Sequence, residues 1–76
     1  MNGVNNEQFW LAKELYDDDV IFFNATNIVM MRPIMDDDTI IGYRVYTVDE
    51  ECYEVEFQTG PFSRITTINQ FLHNEF

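Results

Sequence analysis

Three runs of carboxylates, Asp17-Asp18-Asp19, Asp36-Asp37-Asp38 and Asp49-Glu50-Glu51, are the residues of this chain whose type and spacing could do chemistry. Glu54 and Glu56 add a pair that, on a strand, stands on one face about 6.6 to 6.8 Å apart. Grouped carboxylates can exchange protons, hold a hard cation or project a negative potential. Proton exchange needs a pair with shifted acidities in a pocket, whereas acids in polar loops keep near-ordinary acidity, and 76 residues leave little room for a pocket. A calcium loop needs oxygen ligands at staggered spacings, a glycine at the sharp turn and a closing bidentate Glu. The stretch Asp36 to Gly42 has the acids and the glycine, but Ile40 and Ile41 stand where ligands or turn residues belong, and no closing Glu arrives before Asp49. Cys52 and His73 are single of their kind, too few for a zinc site in a monomer. A Gly-rich phosphate loop, a nucleophile elbow and a second histidine are all missing, and His73 reads as a surface or helix-end residue. No catalytic residue, metal or cofactor is expected.

The potential is what remains. Fourteen Asp and Glu face Lys13, Arg32, Arg44 and Arg64, a formal net charge of -10, beyond the magnitude of about 2 to 8 that keeps a small domain soluble. Seven Asn and seven Ile against two Ala suggest an AT-rich gene, which would also raise Lys, yet Lys13 stands alone. Codon drift therefore does not account for the missing cations, which points to selection against them. Such a surface attracts basic surfaces and speeds their approach. Direct nucleic-acid binding is opposed, because four dispersed cations make no phosphate-binding patch. The inverse relation fits: an acidic body can occupy the basic groove of a nucleic-acid-binding protein. The candidate partner-binding residues are Asp17, Asp18, Asp19, Asp36, Asp37, Asp38, Asp49, Glu50, Glu51, Glu54 and Glu56.

Periodicity predicts the elements that position them. Asn5 or Asn6 caps a first helix running to about Tyr16, with Phe9, Ala12 and Tyr16 on one face, widened by Leu11 and Leu15, and Asp17 to Asp19 ending it. Val20 to Phe23 and the segment from Ile28 read as strands around the turn Asn24 to Asn27, and Pro33 makes the second an edge or ends it early. Thr39 to Val48 alternates, with Ile41, Tyr43 and Val45 on one face and Ile40, Gly42, Arg44 and Tyr46 on the other. Next, Tyr53, Val55 and Phe57 alternate with Cys52, Glu54, Glu56 and Gln58. Gly60-Pro61 breaks the sheet, and Thr67 with Gln70 fits a capping box opening a last helix through Phe71, Leu72 and Phe76, in which Ile68, Phe71 and Leu72 face the sheet. The expected fold is α+β over residues 1–76: an N-terminal helix, an antiparallel meander of three to four strands and a C-terminal helix, the helices packed on one sheet face.

Composition agrees with one domain. Hydrophobic residues make up 46% and twelve are Phe, Tyr or Trp, enough for one core. Cys52 alone forms no intramolecular disulfide, which suits a reducing cytoplasm. The first residues lack a basic segment followed by an apolar run, and no stretch approaches the roughly 18 apolar residues of a membrane span. Neither secretion nor anchoring is expected.

In size, acidity and lack of a catalytic motif the chain resembles the phage-encoded DNA-mimic inhibitors, which include anti-restriction proteins, uracil-DNA glycosylase inhibitors and acidic anti-CRISPR proteins. The expected helix, meander, helix order is also similar to that of some anti-CRISPR proteins that plug the DNA-recognition groove of a nuclease. The resemblance is one of physical profile over the whole chain. No family motif matches residue by residue, and it carries over no site residues. It implies a viral or mobile-element inhibitor whose partner is a basic host protein, a DNA- or RNA-binding enzyme. A second reading is an interaction module or allosteric inhibitor with an apolar contact, including a homodimer through an exposed strand edge. Its anchors would be Trp10, Tyr46, Met30, Met31 or Met35, whose default place is the core. A third is an acid-rich surface adapted to high salt, which predicts unfolding when salt is removed.

Overall fold

The computed structural model describes residues 8–73. Five strands, β1 (Phe9–Glu14), β2 (Val20–Asn24), β3 (Ile28–Asp36), β4 (Thr39–Thr47) and β5 (Cys52–Phe57), precede one short helix, α1 (Ile68–His73). The strands form one sheet in the order β2-β1-β5-β4-β3, antiparallel at every pairing. The expected α+β layout is overturned: this is an antiparallel sheet with a single C-terminal helix.

The expected N-terminal helix is strand β1, and its capping residues Asn5 and Asn6 lie outside the described residues. Phe9-Trp10-Leu11-Ala12 is apolar at either period, so tertiary pairing decides. Ala12 lies between Ile21 of β2 and Phe57 of β5 and is fully buried. A helix here would leave the facing edges of both neighbours without backbone partners.

β2 and β3 are the two edges, yet only Ala25–Asn27, a single 3-10 turn, joins them. Four residue steps span at most about 14 Å, whereas four strand spacings in a flat sheet measure about 19 Å. The sheet must therefore roll until one edge strand runs on into the other. The Val48 N–H donates to the Asn27 carbonyl at 2.9 Å and seats this joint against the end of β4. Rolling encloses the inner face, where Ala12, Phe23, Tyr43, Val45, Val55 and Phe57 are buried with Ile40 and Ile65. Phe57 is the hub, its ring centroid 5.6 Å from Trp10 and 5.9 Å from both Phe23 and Tyr43. Phe62 and Phe71, from the segment after β5, close the core against Tyr43.

Alternation holds on β5, where Val55 and Phe57 are buried and Cys52 and Glu56 exposed. It fails at the start of β4. Ile34 pairs with Gly42 but Met35 pairs with Ile40, so Ile41 is an extra residue and the strand bulges. Ile40 turns inward, 5% exposed, and Ile41 outward at 43%, the reverse of the expected faces. Pro33 lies on edge strand β3, which runs on through it. The helix start follows the sequence, with the Gln70 N–H donating to Thr67 Oγ1 at 3.1 Å; the Gln70 amide oxygen accepts chiefly from Thr66, through its N–H and hydroxyl. Phe71 packs on the core, but Leu72, expected to face the sheet, is 69% exposed.

Candidate functional site

Each acidic triplet sits at a hairpin turn: residues 17–19 lie between β1 and β2, Asp36 ends β3 with 37–38 joining it to β4, and 49–51 join β4 to β5. β1 and β4 are both antiparallel to β5 and so run the same way. The turns at 17–19 and 49–51 therefore leave from one end of the sheet, and 36–38 from the other. Glu14, at the end of β1, and Glu54, near the start of β5, join the first two turns. Glu14, Tyr16, Asp17, Cys52 and Glu54 line one recess there of about 390 Å³. That end gathers Glu14, Asp17, Asp18, Asp19, Asp49, Glu50, Glu51 and Glu54, eight of the fourteen acids. Asp36, Asp37 and Asp38 are not brought to it, and Glu56 stands on the outer face across from Lys13.

The central residue of every triplet has a left-handed backbone: φ is 61° at Asp18, 56° at Asp37 and 67° at Glu50. This region favours glycine and tolerates Asp and Asn better than other side chains. Glu50 has no such excuse. Its turn is held by the Thr47 hydroxyl, which donates to Asp49 Oδ1 at 2.6 Å, and by the Glu50 N–H, which donates to the Thr47 carbonyl at 3.0 Å. An acid is thus kept where glycine would relieve the backbone.

Two cations near this end are already paired. Lys13 Nζ is 3.5 Å from Asp18 Oδ1. Arg44 donates from Nη2 and Nε to Glu54 Oε2 at 2.7 and 3.1 Å, and this hydrogen bond and charge pair hold its guanidinium protonated beyond the usual range. Glu54 is consequently already paired within the chain. Arg32 faces Arg44 across the β3–β4 pairing, so the outer face is of mixed charge and the acidity belongs to the end of the sheet. Among the described residues no group of three or more His, Cys, Asp or Glu could hold a metal ion.

The apolar anchors divide. Trp10 packs on Phe57 and Phe62, and Met31 packs against the core. Met30 and Met35 are 41% and 39% exposed, and Tyr46 is half-buried. More exposed than any of these are Val20, Phe22 and Tyr16, which were not expected to be functional. The unbroken apolar run Val20 to Phe23, on a strand with only one buried side, was the available signal. No helix among the described residues is long and apolar enough to cross a membrane. No family model, curated protein or solved structure matches the chain.

Proposed function

We propose that this protein is a viral or mobile-element inhibitor that covers the basic nucleic-acid-binding site of a host protein, working in the host cytoplasm by contact and not by catalysis. The observation that carries the reading is the convergence of two acidic turns, Glu14 and Glu54 at one end of the sheet, where Lys13 and Arg44 are already tied up in ion pairs. A turn needs neither an acid at every position nor Glu50 at a positive φ. Held close together, such acids offer a nucleic-acid-binding groove the charge its own ligand would bring, which raises the association rate and discriminates against acidic or neutral surfaces.

The test is capture of host proteins on the immobilised full chain, elution by a salt gradient and competition by DNA. A nucleic-acid enzyme that elutes as salt rises and is displaced by DNA supports the proposal, because screening weakens exposed charge pairs. A partner indifferent to salt, or one that binds DNA normally while complexed, refutes it. Replacing residues 17–19 and 49–51 by Asn and Gln should abolish capture, while replacing 36–38 alone should not.

A further inference from the structure

The two edges of the sheet are unlike. β3 carries Pro33, and its register with β4 shifts near both ends, devices that blunt an edge against pairing. β2 has neither, and its Val-Ile-Phe-Phe-Asn carries no charge. The Glu14 N–H donates to the Asp19 carbonyl at 2.8 Å, which fixes the parity of the β1–β2 ladder. Ile21 and Phe23 bond β1, and the backbone N–H and C=O of Val20 and Phe22 point away from it. No described residue bonds them. The same two residues leave their side chains 64% and 69% exposed on the outer face. At the seam where the rolled sheet meets itself, β2 from Ile21 to Asn24 lines a recess of about 170 Å³ together with Asn27, Thr47, Asp49 and Tyr53.

We propose that the β2 edge is a docking site for an extended segment of a partner protein in which basic and apolar side chains alternate. Its backbone pairs with Val20 and Phe22. Its apolar side chains cover Val20 and Phe22, and its basic ones turn into the seam towards Asp49, with Asp17 to Asp19 at the head of the same strand. Charge complementarity selects this occupant over a second copy, which would set -10 against -10. The inference goes beyond the acidic-end reading, since a complex held by charge alone needs no backbone pairing.

The experiment titrates the isotope-labelled full chain with a seven-residue peptide alternating Lys and Val, and separately with its Glu and Val counterpart, following amide exchange residue by residue. The Lys peptide should slow exchange at Val20 and Phe22 about tenfold and leave Ile21 and Phe23 unchanged, and the Glu peptide should do nothing. Phe22→Pro, which removes an outward donor without touching the ladder to β1, should abolish the protection; Phe22→Lys, which keeps the backbone, should weaken it by charge repulsion. Four results would each overturn the proposal: no binding of the Lys peptide at low salt, equal binding of the Glu peptide, protection that grows with protein concentration in the absence of peptide, or shifts confined to the acidic turns. The last would leave the acidic-end reading standing.

Discussion

The left-handed backbone at Glu50 gives a prediction that separates charge from conformation. An L-residue in this region costs about 1 to 2 kcal/mol, while glycine in its place returns about 0.5 to 1 kcal/mol of that through its greater freedom when unfolded. Glu50→Gly should therefore stabilise the fold by about 0.5 to 1 kcal/mol, a rise in Tm of roughly 2 to 8 °C for a domain of this size. Removing one of many like charges also relieves repulsion, so Glu50→Gln is the control: it loses the charge and keeps the strain, and should move stability by less than about 0.5 kcal/mol. Urea unfolding of the three proteins side by side gives the difference between Gly and Gln, which is the backbone term alone. If Glu50→Gly is no more stable than Glu50→Gln, the turn is not strained and the claim that an acid is held there at a conformational cost fails. If the difference appears, both variants should bind a basic partner more weakly than the parent, so that the glycine variant gains stability as it loses affinity.

Gly42→Ala should destabilise the fold by about 1 to 3 kcal/mol in the same assay, because its Cβ would sit 2.7 Å from the Val55 carbonyl oxygen and 2.8 Å from Leu15 Cδ1. The Tyr43 hydroxyl is buried without a hydrogen-bond partner among the described residues, so Tyr43→Phe should gain about 1 kcal/mol; a loss of that size would mean the hydroxyl is bonded in solution. Burial pushes the Tyr43 hydroxyl from 10.0 up to about 12. The folded state then keeps a proton that the unfolded state has lost, so stability is unaffected by this group below pH 10 and falls between pH 10 and 12, a fall that should be missing from an alkaline unfolding curve of Tyr43→Phe. Trp10→Ala should cost about 3 kcal/mol as a core substitution, and a variant that kept its stability while losing a partner would return Trp10 to the role of surface anchor.

The parts of this fold legible in the sequence are those where one period dominates. Tyr53, Val55 and Phe57 against Glu54 and Glu56 admit only a strand, and Thr67 with Gln70 marks a helix start whatever lies around it. Phe9 to Tyr16 was not legible, since its apolar residues satisfy both periods and the deciding partners, Ile21 and Phe57, are distant in the chain. The inversion of Ile40 and Ile41 depends on a bulge that no turn residue announces. The acidic runs were legible as turns, but which of them share an end follows from strand order alone, and three Asp in a row do not reveal that the middle one is left-handed. The free edge at Val20 and Phe22 stayed hidden because an apolar run of four reads as core until the sheet shows which side is covered.

The position of β1 between β2 and β5 has a consequence for how the protein is made. β1 begins at residue 9 and one of its two partners ends at residue 57, so the contact that completes the sheet spans most of the chain. The hairpin of β1 and β2 and the meander of β3 to β5 are each local and can form early, but neither encloses the aromatic hub until Phe57 has been synthesised. Until then the β1–β2 hairpin and the β3–β4 hairpin have open apolar edges, and a pairing of such long range forms slowly and is exposed to misassociation meanwhile. The dense negative charge, whatever partner it meets later, keeps such chains apart during that interval.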